Sequence, residues 1–347
     1  MNDRTERLFF ASDYMEGAHP AILERLLATN GEQTAGYGLD PYSESARKKI
    51  RKACAAPNAN VHFLLGGTQA NATVIDAVLR SYEGVLAAAS GHISVHEAGA
   101  IEYGGHKVLA LPHEHGKLSA ATIEAVLAAS RADENRDHMV FPGMVYLSQP
   151  TECGTLYTRE ELTRIHAVCR AHDIPLYLDG ARLAYALACP ENDVTLPDIA
   201  RLCDIFYIGG TKCGALFGEA VVLPNPSFIP HFFTIIKQHG ALLAKGRIAG
   251  IQFDTLFTDG LYEAGGATAI KAAARIRLAL HEKRIPLAWE TPTNQIFIRL
   301  THAQRARLES SVALGFWEQA DDAHVIMRIA TSWATTEEQV STLIARL

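Results

Sequence analysis

The chain has 347 residues, which at about 150 residues per domain predicts about two domains and a core large enough to need no disulfide staples. Apolar residues make up 48% and charged residues 20%, with a mean hydropathy of +0.03, which excludes a disordered chain. Lys and Arg number 32 against 38 Asp and Glu, and the net charge of -6 excludes a basic surface for nucleic acid or an anionic membrane.

Met1 to Phe10 holds Arg4 and Arg7 but only a two-residue apolar patch, so neither a signal nor a transit peptide is expected. No apolar run approaches the roughly 18 residues of a membrane helix. The six cysteines are scattered without a CxxC pair, the usage of reduced thiols rather than of disulfides or zinc sites. A soluble, cytoplasmic protein is expected. From about residue 60 to 225, short apolar runs alternate with helical patterns, which predicts βαβ units around a mostly parallel sheet. Strands are expected at Val61–Leu65, Gly84–Ala88, Lys107–Leu111, Met144–Ser148, Leu176–Asp179 and Ile205–Gly209, with an antiparallel one at Glu219–Leu223. Helical spacing is found over Ala70–Leu79, Ala121–Ala129 and Arg159–His172, the last with Thr158 as N-cap. Residues 231 to 283 read as largely helical. Gln295–Leu300, Gly315–Glu318 and Val325–Thr331 read as strands of a separate α+β unit, closed by a helix from Glu337.

Three segments carry chemistry. In the first, the apolar run at 61–65 passes through Gly66-Gly67-Thr68-Gln69 into a helix. Unpaired N–H groups at a helix start and glycines that admit an anion make this a phosphate cradle, although an ordinary tight turn has the same pattern and neither GxGxxG nor GxxxxGK[ST] is matched. In the second, a strand ends at Asp179 and Arg182 follows. A carboxylate at a strand's carboxyl end can reach a cofactor ring nitrogen, with the arginine placed to bind a carboxylate bidentately; a helix cap with a partner arginine is the plainer alternative. In the third, an apolar strand delivers Lys212 into the glycine-rich, otherwise uncharged stretch Gly209 to Gly218. Apolar surroundings disfavour the ammonium form and free the amine for a Schiff base.

Phosphate cradle, strand-end Asp and downstream Lys, in that order, are the parts that hold pyridoxal 5'-phosphate. With Ser12-Asp13, Tyr37-Gly38, His92, Glu97-Ala98-Gly99, Thr211-Lys212, Asn294-Gln295 and Arg328, the chain resembles the low-specificity L-threonine aldolase and aromatic β-eliminating lyase group of fold-type I pyridoxal-phosphate enzymes. That resemblance implies an α/β fold of the aspartate-aminotransferase type, with a mostly parallel seven-stranded sheet and a smaller α+β C-terminal domain. It divides the chain into an N-terminal segment, 1–20, joining the small domain, a large cofactor-binding domain, 21–250, and a small domain, 251–347. It makes Lys212 the Schiff-base lysine and Asp179 the partner of the pyridine nitrogen. Gly67, Thr68 and Gln69 would hold the phosphate, with Thr211 and Arg182 also around the cofactor, and His92 would stack on the ring. Arg182 and Arg328, helped by Ser12, would clamp the substrate carboxylate. Lys245, or Arg247 in a shifted register, would reach a neighbouring subunit's phosphate, and Tyr37 would cross the same interface, in a homodimer or a tetramer built from dimers.

The implied reaction cleaves threonine, allo-threonine or a related β-hydroxy-α-amino acid to glycine and an aldehyde. Glu152 stands where many relatives carry a histidine, near the substrate hydroxyl, and puts the substrate preference in question. A β-eliminating lyase and a non-catalytic relative are the alternative functions. A metal site at His92, His96 and Glu97 is a further reading of the histidine spacing, and no metal is expected.

Overall fold

The computed structural model describes residues 7–347; Arg4 and the start of the expected N-terminal segment lie outside the described residues. Two sheets organise them. The strands are β1 (Leu8–Phe10), β2 (Asn60–Leu64), β3 (Glu83–Ala88), β4 (Lys107–Leu111), β5 (Phe141–Ser148), β6 (Leu176–Asp179), β7 (Ile205–Gly209), β8 (Glu219–Leu223), β9 (Leu287–Trp289), β10 (Gln295–Thr301), β11 (Val312–Asp321) and β12 (His324–Ala330). The larger sheet has seven strands in the order β2-β8-β7-β6-β5-β3-β4. β8 runs antiparallel to both of its neighbours, and the pairs among β7, β6, β5, β3 and β4 are parallel. Every residue of β6, β7 and β8 is buried, the mark of strands covered on both faces.

Helices fill both faces, and their ends carry local signals. Thr158 and Glu161 form a capping box on helix Arg159–His172, at the predicted bounds. The helices outside the predicted stretches include Pro20–Ala28 and Pro41–Ala53 as well as the shorter Leu183–Leu187, Leu196–Leu202 and His302–Glu309. Helix Pro41–Ala53 is strongly charged and buries only Ser43, Ala46 and Ile50, a stripe at helical spacing too narrow to stand out from composition. It crosses helix Arg247–Leu256 so closely that a Cβ on Gly250 would lie 2.6 Å from Ser43 Cα.

The second sheet runs β1-β11-β12-β10-β9. β1 pairs in parallel with β11, so the N-terminal segment is tied to the C-terminal sheet. The 22-residue helix Leu261–Glu282 joins the two layers of structure: Tyr262, Ala269 and Ile270 belong to the core beneath the large sheet, while Ala272, Ala273, Ile276 and Leu280 pack under the small one. Gly266 permits its close contact with helix Leu183–Leu187, since a Cβ there would meet the Ala184 carbonyl oxygen at 2.3 Å.

Among the described residues no helix is long and apolar enough to cross a membrane. All six cysteines are free and buried.

Candidate active site

The carboxyl ends of β5, β6 and β7 and the loops after β2 and β3 open on one cavity of about 300 Å³, the position where open parallel sheets bind ligands. Gly66, Gly67, Thr68, His92, Glu152, Asp179, Arg182, Thr211 and Lys212 line it. An adjoining compartment of about 260 Å³ shares His92, Glu152, Arg182 and Lys212 and adds Arg328.

Asp179 is the most heavily bonded group. Its Oδ1 accepts from the Tyr207 hydroxyl at 2.5 Å and the Ala181 amide at 2.9 Å, and its Oδ2 from the Tyr146 hydroxyl at 2.6 Å and Asn71 Nδ2 at 3.2 Å. Asn71 is fully used, since its other donation goes to Glu97 Oε1 at 2.7 Å and its carbonyl accepts from Tyr177 at 2.9 Å. Strand alternation explains the cluster: Tyr146, Tyr177 and Tyr207 each stand two residues before the last residue of β5, β6 and β7 and therefore share a face with Ser148, Asp179 and Gly209. Burial and the Asp179 charge push the Tyr146 and Tyr207 phenols well above their ordinary range, so both serve as neutral donors.

His92 Nδ1 is 2.7 Å from Glu97 Oε1. A carboxylate accepts, so Nδ1 carries a proton. Glu97 Oε1 thus serves both His92 and Asn71 while Oε2 is buried without a partner, and no group of three His, Cys, Asp or Glu among the described residues is arranged to hold a metal ion. Glu152 Oε1 accepts from Ser148 Oγ at 2.7 Å and from the His92 amide at 3.0 Å. Burial raises the Glu152 carboxyl above its ordinary range, Asp179 adds to the rise and the Ser148 bond opposes it.

Burial lowers the Lys212 ammonium, Arg182 adds to the fall, and Asp13, Asp179 and Glu219 oppose it. Tyr185 donates to the Lys212 carbonyl and fixes the backbone below the amine. Glu219, which the sequence reading passed over as a strand residue, lies in the same cavity. It accepts from Thr211 Oγ1 at 2.8 Å and the Gly210 amide at 3.1 Å, and burial carries its carboxyl up to about 8.

Arg182 departs from expectation. Its Nε and Nη2 donate to Asp13 at 2.6 and 3.0 Å, so Asp13 takes one bidentate edge of the guanidinium while the side chain still lines the cavity. The pair outweighs the burial cost and holds Asp13 at about 2. Arg328 is anchored by Gln295 Oε1 and the Ala11 carbonyl, both at 3.0 Å, while its Nε is buried without a partner, as is Ser12 Oγ. Gln69 also departs from expectation, because its Oε1 caps the Leu65 amide at 3.2 Å and it does not line the cavity. Tyr37 and Lys245 lie outside the cavity within this chain. Lys245 lines a surface groove with Leu216 and Phe217, whereas Arg247 is tied to the Asn30 and Glu32 carbonyls. Tyr37 stands under the Lys237 ammonium, 4.6 Å from the ring centre.

The residues fit pyridoxal phosphate. Helix Gly67–Val78 begins without any side-chain cap, and a Cβ on Gly66 would meet nothing within 4 Å, so an uncapped helix start faces open space. In the same cavity stand an amine, a histidine ring and a carboxylate. Asn71, the longest of the four contacts to Asp179, already bonds Glu97 and can yield to a ring nitrogen.

The comparisons agree with this geometry. The family model described as beta-eliminating lyase matches residues 10–306. A low specificity L-threonine aldolase of a Pseudomonas strain is 29% identical over 99% of this chain and 98% of its own length. The solved threonine aldolase of Leishmania major is 45% identical, covers 97% of this chain and 98% of its own, and superposes with a TM-score of 0.94. An aspartate aminotransferase of Thermus thermophilus, 14% identical, shares the fold with a TM-score of 0.71 over 98% of this chain and 91% of its own. The chain therefore belongs to the beta-eliminating lyase family, and within it to the threonine aldolase group of fold-type I, pyridoxal-phosphate-dependent carbon–carbon lyases.

Proposed function

We propose that the protein cleaves L-threonine, L-allo-threonine or a related β-hydroxy-α-amino acid to glycine and an aldehyde. The observation that carries this reading is the convergence of the Lys212 amine, the Asp179 carboxylate, the His92 ring and two arginines on one connected cavity. When bound, pyridoxal phosphate supplies a carbonyl for the substrate amine and an electron-accepting ring for the pair released as Cα–Cβ breaks.

The chain's own groups do the rest. Lys212, with its amine freed by burial, would be the residue that holds the cofactor through its carbonyl. Asp179, held rigid by its tyrosine donors, keeps a proton on the ring nitrogen. His92, fixed by Glu97, packs against the ring. Arg328, with its unpartnered Nε, and the edge of Arg182 not taken by Asp13 bind the α-carboxylate, and fixing that group would orient the substrate so that one chosen bond to Cα is cleaved. Ser12 Oγ, buried without a partner, completes that clamp. Glu152 takes the proton of the β-hydroxyl through the oxygen not engaged by Ser148. Gly67, Thr68 and Thr211 hold the phosphate, and Glu219, protonated up to about pH 8, adds no negative charge beside it. The cofactor domain takes in residues 21–250 and the adjoining stretch through Ile270, whose Phe253, Leu256, Tyr262 and Ala269 pack in the same core, and the smaller domain takes in β1 with the chain from Ala272 on. Tyr37 and Lys245 serve the site of a second subunit in a homodimer or dimer of dimers; sedimentation that finds an active monomer would remove that assignment.

The direct test is aldehyde release from L-threonine and L-allo-threonine by the cofactor-loaded protein, with glycine as co-product; pyruvate and ammonia instead would assign a β-elimination. Because a base must be ionised, kcat/KM should rise with pH through the elevated Glu152 value, and Glu152→Gln should abolish this limb and lower kcat by about 10²-fold or more. An unchanged profile would release Glu152 from the role. Glu219 predicts a pH dependence of stability. The unfolded chain loses this proton near 4.5 and the folded chain near 8, so the folded state binds more protons in between and stability falls as pH rises across that window. In cofactor-free protein Glu219→Gln should flatten the fall in melting temperature between pH 5 and 8, and a parallel fall in both proteins would contradict it.

A further inference from the structure

The outer compartment has two chemically different walls. One is polar and carries Arg328 and Arg182, and the other is built from Tyr14, His96, Phe316 and Trp317. Phe316 and Trp317 are neighbours on β11, and in a regular strand neighbouring side chains point to opposite faces. Here they line the same cavity. The ladder accounts for it: Gly315 pairs with Arg328 and Phe316 with Met327, but the next pair is Glu318 with Ile326. Trp317 is the extra residue of a β-bulge, the device by which a strand re-aims a side chain beside a site.

The bulged tryptophan is firmly held. Its ring lies edge-on to Phe297, 4.8 Å between centres at 69°, and 6.1 Å from His96, which is itself 5.7 Å from His92. Phe297 stacks in turn on Trp289 at 4.5 Å, and Trp289 donates to the Cys153 carbonyl. Phe316 remains 57% exposed at the cavity, with the Arg305 guanidinium over its ring at 5.7 Å from the centre. The cross-strand pairing of Arg328 with Gly315 puts the carboxylate anchor one residue from this aromatic pair, about 3.4 Å along the strand.

We infer that Phe316 and Trp317, with Tyr14 and His96, form the subsite for the substrate's β-substituent, and that it selects β-hydroxy-α-amino acids bearing an aryl group over those bearing a methyl. This rests on the aldolase reading above. A methyl group covers little of the aromatic wall, whereas a phenyl ring can meet Phe316 and Trp317 in edge-on or offset contact. Selection therefore comes from a bulge that makes two consecutive residues serve one cavity.

The test compares L-threo-phenylserine with L-threonine, by aldehyde release from the holoenzyme, in the natural protein, Phe316→Ala and Trp317→Leu. Phe316 is exposed, so its variant leaves the fold intact if the Trp317 variant does not. The natural protein should favour phenylserine at least tenfold in kcat/KM; each variant should lower that ratio about tenfold, through a higher KM for phenylserine. A second readout needs no turnover: 3-phenylpropionate, which carries the same carboxylate-to-phenyl spacing, should bind the holoenzyme at least tenfold more tightly than butyrate and lose that advantage in Phe316→Ala. Aldehyde from both substrates at a ratio near one, or a ratio and binding preference unmoved by the variants, would overturn the subsite alone. No aldehyde from either substrate would overturn the aldolase reading and this inference with it.

Discussion

A carboxylate buried at the end of β6 has to be satisfied, and the means of satisfying Asp179 organise the site. An unpaired charge in that position would cost several kcal/mol. Four donors meet it instead, from β5, β7, the turn after β6 and the helix after β2. The helix after β2 is also the one whose start faces the cavity, so Asn71 links the Gly66-Gly67 turn to Asp179 through a single side chain. Glu97 extends the link to His92. Parts that lie far apart in the sequence thereby have one rigid arrangement, and a buried polar network is a device for fixing such an arrangement.

A second buried pair closes the substrate side. Asp13 grips Arg182 by two nitrogens and also accepts from Asn294 Nδ2 at 2.9 Å. The N-terminal segment, the turn after β6 and the loop before β10 meet at this carboxylate. β1 pairs with β11 a few residues away, so the segment that carries Asp13 is held at both ends. Breaking such a pair from one side leaves a buried charge uncompensated, and the arginine would lose the orientation in which it lines the cavity.

The alternating pattern from residue 60 to 225 was legible because strands buried on both faces are short, apolar and bounded by helices with clear caps. All seven strands of the large sheet lie where that pattern puts them, within about three residues. The charged helix Pro41–Ala53 and the three-residue strand β1 were not legible, since a narrow apolar stripe and a short edge strand leave little periodicity to read. In the cavity, Lys212, Asp179 and Thr68 could be named from local sequence, and His92 from the family resemblance. The tyrosines behind Asp179 could not be singled out, because in a strand tyrosine looks like any apolar residue; only its place two residues before each strand end carries the signal. The Asp13 grip on Arg182 spans 169 positions, a tertiary contact that no local pattern encodes. The pairing of Phe316 with Trp317 on one wall depends on a register shift, and alternation alone would have separated them.

The most direct measurement of the central claim is chemical trapping. Purified protein loaded with pyridoxal phosphate is reduced with borohydride, digested and mapped by mass spectrometry. One pyridoxyl phosphate per chain, confined to the peptide that contains Lys212, is the predicted result. Label spread over exposed lysines such as Lys245, or absent from the Lys212 peptide, would contradict the account.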